Sequence, residues 1–215
     1  MILPIELHPH EVTAIFEGRQ HQLRRPINPQ PFQGWSDSDI ETRFMHDGLL
    51  ELGSVSQIVN GAWSAGFIDV ESVYGRIGDL LWAQETWGKS PDGPIYRATE
   101  LEPVDERRWM PSIEMPSWIS RLTLLVKDVR IDRLHDISEQ EAMVNGADLV
   151  GVETGRLSVS SAPEEVGSYR AGYYELWNSI NAERGYEWDA NPWVWVIDFM
   201  AFPRNVDQVQ PGAAA

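Results

Sequence analysis

The sequence predicts an α+β fold: a small, mostly antiparallel β-barrel with an N-terminal helix, two later helices and an irregular insertion. Three observations lead there. Short runs with strand-like alternation recur along the chain, separated by helical patterns instead of a strict strand-helix-strand alternation. No internal repeat or low-complexity domain interrupts them. At 215 residues the chain can fill one well-cored domain. We place that domain at 1–204, with an excursion at about 28–75 and a disordered tail at 205–215.

Taken in order, Met1-Ile2-Leu3-Pro4-Ile5 is a short apolar strand, and His8-Pro9 breaks it. A helix over 10–17 carries Val12, Ile15 and Phe16 on one side. It runs out through Gly18 into a loop, Glu17 to Pro26, that bears Arg19, Arg24 and Arg25. From Asn28 to Gly75 prolines and glycines punctuate the chain, and apolar runs at 49–52 and 55–59 suit short strands. Gly78 to Trp87 is a turn entering a strand, with Trp82 and Gln84 on one face and Glu85 on the other. Ile95–Ala98 is a second strand, in a hairpin around Pro91-Asp92-Gly93.

Trp109 to Trp118 contains two prolines and two tryptophans, and reads as an ordered, non-regular loop. Arg121 to Leu134 alternates as one long strand. Ser138 with Glu141 three residues on is a capping box, which starts a helix ending at Asn145 and Gly146. Residues 147–168 read as loop, with a Ser/Pro/Glu-rich mobile stretch from Ser158. Tyr169 to Arg184 sets Tyr173, Trp177 and Ile180 at helical spacing as core. Trp188 to Pro192 is a turn, and Trp193 to Phe202 is a buried strand.

Charge narrows the function. The net charge is −16, with −6 over residues 37–75 and −8 over 137–215. Nucleic acid is bound non-specifically by neutralising its phosphates with Lys and Arg, so no extended duplex DNA track is expected. One small basic pocket remains compatible, because residues 1–36 are locally neutral. With no cysteine there is no disulfide, zinc-thiolate site or cysteine nucleophile. No cluster has metal spacing, so neither a metal nor a cofactor is expected. The absence of a long apolar run or an apolar leader implies a cytoplasmic protein without a membrane partner.

Several stretches together carry a resemblance: EGRQHQLRRPINPQ at 17–30, GDLLWAQETW at 78–87, RWMPSIEMPSW from Arg108, and 121–146 and 188–199. In order and over most of residues 10–202 they resemble the ASCH domain, and in particular the ASCH proteins of phages and prophages. The resemblance implies a PUA-like β-barrel with a cleft roofed by the N-terminal helix and loop. It implies binding of RNA or nucleosides, and some small members hydrolyse N4-acylated cytidines, notably N4-acetylcytidine. Those enzymes use a lysine beside a threonine nucleophile and a later glutamate that moves the proton.

Carried over residue by residue, the lysine position is Gln20, the threonine position is Leu23, and the glutamate falls at or near Asn145. An amide, an isobutyl group and a second amide cannot run that reaction. His21 is the nearby titratable base, with Glu85 or Glu141 as partner and Thr13 or Ser138 as a source of hydroxyl; it is the weak catalytic candidate. The ligand-binding set implied by the resemblance is Gln20, Arg24, Arg25, Trp82, Glu85, Trp109, Glu114, Arg121 and Asn145. These side chains suit a flat ring with polar edges: stacking, forked arginine donors, and carboxylates for an exocyclic amine. The expected function is binding of a nucleobase, nucleoside or short RNA without amidohydrolase turnover. The alternatives are an amidohydrolase or ribonuclease with a rearranged site, and an acidic phage protein whose partner is a host protein.

Overall fold

The computed structural model describes residues 1–45, 53–100, 109–153 and 165–209. It is a mixed α+β fold built on a mostly antiparallel sheet. In chain order the elements are β1 (Ile2–Glu6), α1 (Pro9–Phe16), β2 (Gln22–Pro26), α2 (Asp37–Met45), α3 (Val55–Ser64), β3 (Leu80–Gln84), β4 (Trp87–Ser90), β5 (Gly93–Tyr96) and β6 (Trp109–Met110). There follow β7 (Thr123–Arg133), α4 (Glu139–Val144), β8 (Val150–Glu153), β9 (Glu165–Ser168), α5 (Tyr169–Asn181) and β10 (Trp193–Phe202). One sheet has the order β1-β3-β7-β10-β2, a second has β5-β4-β6, and β8 pairs with β9. Among the described residues no helix is long and apolar enough to cross a membrane.

The chain divides into two compact units, Met1–Gln22, Ser72–Val129 and Ile197–Ala215 in one, Leu23–Glu71 and Arg130–Val196 in the other. In the first unit β1 runs parallel to β3, Ile2 opposite Leu80 and Glu6 opposite Gln84. β3 lies antiparallel to β7, Leu80 opposite Leu125. Alternation is visible in β7, where Leu124 and Val126 are fully buried and Lys127 is exposed. α1 is entered through Pro9, whose missing N–H is no loss in a first turn, and the Glu11 carboxylate accepts the His8 amide at 2.9 Å. The β4–β5 hairpin turns at Pro91-Asp92, as expected, with Ser90 opposite Gly93.

In the second unit the core is Leu134, Ile137, Ala142, Tyr173, Trp177, Trp188, Val194 and Val196. α4 opens with the anticipated capping box: Ser138 Oγ accepts the Glu141 amide, and the Glu141 carboxylate accepts the Ser138 amide at 2.9 Å. α5 carries Tyr173 and Trp177 inward at helical spacing, with Ile180 half-buried. The Trp177 indole donates to Tyr186 O at 2.7 Å, which satisfies its one polar atom.

Four expectations are corrected. Residues 22–26, expected within a loop, are a strand, and the backbone bonds explain why. The Phe199 amide donates to His21 O, and the Ile27 amide to Trp193 O, each at 3.0 Å. That register makes β2 antiparallel to β10, and Gln22, Leu23 and Arg24 are all buried on it. Residues 55–59, expected as a strand, begin α3. There Ser54 and Gln57 form a capping box, and Ile58, Val59 and Ala62 bury one helical face. α3 is further tied down by Ser56 Oγ, which accepts the Arg133 amide, and by the Trp63 ring, packed edge-on to Trp195 with centroids 5.1 Å apart. The 28–75 excursion is therefore helical in two places, and the run at 49–52 lies outside the described residues.

The third correction concerns 147–168, expected to be loop, which contains the β8–β9 pair, Val150 opposite Ser168 and Glu153 opposite Glu165. Residues 154–164 lie outside the described residues. Fourth, the chain after Arg204 is not simply frayed. Val206 is buried in a one-turn helix over Val206–Gln208, and Asn205 donates to the carbonyls of Ser117 and Ser120, both at 2.7 Å. The last six residues lie outside the described residues.

One glycine is required by close approach. A Cβ on Gly172, in the first turn of α5, would sit 2.0 Å from the Asp148 carbonyl oxygen. Alanine normally favours a helix over glycine, yet Gly172→Ala is expected to destabilise by about 1–3 kcal/mol through overpacking. Urea unfolding of the two proteins checks this, and an alanine variant as stable as the parent overturns the packing account.

Candidate functional site

The candidate site is a cavity of about 490 Å³ in the first unit, open to solvent and formed around the three-stranded sheet. Its base is a strand register that follows from the sequence. Trp87 opens β4 opposite Tyr96 of β5 and Met110 of β6, so the three side chains share a face. Met115 and Ile119, from the Pro-rich segment that follows β6, complete this apolar cluster with Trp87. The segment holds two one-turn helices, Ser112–Glu114 and Ser117–Ile119, each preceded by a proline that fixes its entry. They carry Glu114 and Trp118 to the cavity, and both side chains are exposed, Trp118 at 74%. The remaining walls are Pro94, Pro116, Gly93 and Ser90.

Among the described residues two that line the cavity carry formal charge, Lys89 and Glu114. The Lys89 ammonium lies 5.9 Å from the Trp87 ring centroid, over its face. Ser90 is occupied with the hairpin, its hydroxyl donating to Gly93 O and accepting the Asp92 amide. Trp87 is 5% exposed, and among the described residues its indole N–H has no hydrogen-bond partner. A cavity of this size, mostly apolar with a few polar groups at its edge, is the ordinary form of a small-molecule site.

Behind the cavity the structure brings together two of the predicted residues, Glu85 and Arg121. Arg121 Nε and Nη2 donate to the two Glu85 carboxylate oxygens at 2.8 Å each, a forked pair, and Nη1 donates to Thr99 Oγ1 at 3.0 Å. The guanidinium also stacks against the rings of Tyr96, at 4.0 Å, and Phe16, at 5.0 Å. Burial pushes the Tyr96 phenol above its ordinary value, Glu85 adding to the rise and Arg121 opposing it. The Tyr96 hydroxyl donates to Ile119 O at 2.8 Å. The ion pair thus uses its own donors and acceptors to join the β3–β4 junction to the start of β7 and to the cavity wall.

The other predicted residues of this unit stand apart from the cavity lining. Trp82 is half-buried within β3, opposite Pro4 and Thr123. Trp109 is half-buried opposite Gly88, with the Arg97 guanidinium 5.8 Å from its ring. Gln20 is buried, and its amide donates to Gln22 O at 3.1 Å while its Oε1 has no partner. His21 is exposed. Thr13, its possible hydroxyl source, donates to Pro9 O and Ala98 O.

In the second unit Arg24 and Asn145 meet on either side of Glu141. Arg24 has a fully buried side chain, with Nη2 3.1 Å from Glu141 Oε1 and 3.8 Å from Asp132 Oδ2. Among the described residues none of its three side-chain nitrogens has an aligned hydrogen-bond acceptor, so the contact is coulombic. Arg130 bridges the same carboxylates, at 2.7 Å to Glu141 and 3.1 Å to Asp132. Asn145 is buried and donates to Glu141 O at 2.7 Å, closing the last turn of α4. Arg25 is half-buried and donates from Nη1 to Arg24 O at 3.2 Å.

Sequence reasoning named Glu114 but missed Lys89, Trp87 and Trp118 as lining residues. The usable signal was the hairpin turn: β4 ends there, so a tryptophan and a lysine two residues apart share a face. No group of three or more metal-ligating side chains occurs among the described residues. Compared with models of known protein families, with curated proteins and with solved structures, the chain matches none.

The buried charge cluster generates two predictions. Removing one member of a buried ion pair leaves its partners uncompensated, so Arg24→Ala is expected to cost about 3–5 kcal/mol in denaturant unfolding. A loss below about 1 kcal/mol overturns that role. The two carboxyls titrate in opposite directions. Burial presses Glu141 upward, but the Ser138 amide, Arg24, the Ser138 hydroxyl and Arg130 together hold it below its ordinary value. Burial also leads for Asp132, where it outweighs Arg130 and Arg24 and raises the group. Glu141 therefore stabilises the fold above the ordinary carboxylate value and loses that contribution as pH falls through its lowered value. Asp132 contributes below the ordinary value and loses its contribution as pH rises through its raised one. The stability gap between the parent and Glu141→Gln is expected to narrow on acidification; a gap independent of pH overturns the assignment.

Proposed function

We propose that this protein holds a nucleobase, a nucleoside or an RNA end in a cleft and does not turn it over, as an ASCH-like protein with a PUA-like barrel. The observation that carries the reading is the open cavity beside β4, whose base is Trp87 and whose rim carries Trp118. A flat ring gains about 1–3 kcal/mol per base from an aromatic platform, and an exposed tryptophan at the mouth of an apolar cavity offers one. Lys89 and Glu114 supply one donor group and one acceptor group for a polar ring edge.

The positions that would run amide hydrolysis support the second half of the reading. Gln20 donates its amide to Gln22 O, Leu23 is 0% exposed in β2, and Asn145 closes α4. Each is a buried part of the scaffold, and none offers a nucleophile or a proton carrier.

Calorimetry against a panel of nucleosides and short RNAs tests the binding. Trp118 is exposed, so Trp118→Ala leaves the fold in place and is expected to weaken binding about tenfold. N4-acetylcytidine incubated with the protein is expected to be recovered unchanged. Silence across the panel overturns the binding reading, and deacylation overturns the statement about turnover.

A further inference from the structure

Resting on that reading, the charges at the cavity allow its ligand to be specified, and we infer that Glu114 selects an unphosphorylated base bearing an exocyclic amine. Among the described residues the lining carries one cation, Lys89, and one anion, Glu114, whose formal charges cancel. The chain around it has a net charge of −16. A phosphate monoester brings about two negative charges at neutral pH and needs several Lys or Arg donors to replace its water. One ammonium, in a lining that also holds a carboxylate, does not supply them. A neutral ring escapes this penalty because its contacts are stacking and single hydrogen bonds.

The same carboxylate then discriminates between rings. An ionised Glu side chain accepts hydrogen bonds and donates none. It pairs with an exocyclic NH₂, as on cytosine or adenine, and repels the carbonyl oxygen found at that position in uracil or hypoxanthine. Lys89 has the complementary role, donating to a ring nitrogen or carbonyl that flanks the amine. Glu114 is exposed at the end of a one-turn helix and is the acidic residue of the lining among the described residues, which makes it the specificity-determining residue.

The test uses the full chain and calorimetry with cytidine, uridine, adenosine, inosine, and the 5′-monophosphates of cytidine and adenosine. Cytidine is expected to bind about tenfold tighter than uridine, and adenosine about tenfold tighter than inosine. The monophosphates are expected to bind more weakly than their nucleosides, and nucleoside affinity to hold within about twofold between about 50 and 200 mM salt. Glu114→Gln, a surface change, is expected to bring each amine/keto pair within about threefold and to weaken the monophosphates less than the parent does. Equal binding of amine and keto bases, or tighter binding of the monophosphates, overturns this inference and leaves the binding reading standing. Failure of every nucleoside and nucleotide to bind overturns this inference, and silence of short RNAs as well removes the binding reading itself.

Discussion

A carboxylate taken out of water must be paired and hydrogen-bonded or give up its charge, and Glu85 is 1% exposed. Its partner is fixed by chain geometry. Glu85 lies between β3 and β4, and Arg121 lies two residues before β7, so the forked pair ties the main sheet to the start of the small one. The stem of the interaction is apolar, because Phe16 and Tyr96 lie against the guanidinium. Glu85 is further placed by its own amide, which lies 3.2 Å from the Met115 sulfur. Through Tyr96 and Met115 the same pair positions the cluster on which Trp87 rests. The cavity inherits its shape from an ion pair that is not part of its lining.

That arrangement separates residues that recognise from residues that hold. The resemblance to nucleoside-binding proteins drew attention to Glu85 and Arg121 as groups that meet a ligand. With both carboxylate oxygens and three guanidinium nitrogens engaged inside the protein, their chemistry is already used. Arg24 is different, since its nitrogens are close to carboxylates yet aligned with none. A guanidinium buried in this way depends on Glu141, Asp132 and Arg130 staying where they are, which makes the α4 capping box part of an electrostatic assembly and not just a helix start.

Much of the fold was legible because local signals agreed with tertiary demands. Ser138 and Glu141 marked α4, alternation marked β7, and the turn at Pro91-Asp92 marked the β4–β5 hairpin. The failures share a cause. Gln22, Arg24 and Arg25 are polar, and a polar run ending in proline reads as a loop until a long neighbour, β10, supplies its backbone partners. Val55 to Val59 is β-branched at both ends, which favours a strand locally. The Ser54–Gln57 capping box and a buried face of Ile58, Val59 and Ala62 decide for helix. Of the site, Glu114 was legible by residue type, whereas Lys89, Trp87 and Trp118 required knowing that a hairpin and a proline-rich segment converge.

The acidity of the chain takes on a definite meaning beside this cavity. Acidic surfaces ordinarily serve solubility, and a long basic groove is what a polyanion demands. Here four arginines are spent internally: Arg121 on Glu85, Arg24 and Arg130 on Glu141 and Asp132, Arg133 on Asp37 and the Trp193 ring. Lys89 is the cation that lines the cavity, and it hangs over an indole instead of a carboxylate. A lining with one ammonium and one carboxylate does not offer the run of cations that neutralises a phosphate backbone. The acidity of the chain is thus compatible with the proposed ligand, a base that arrives without its phosphate.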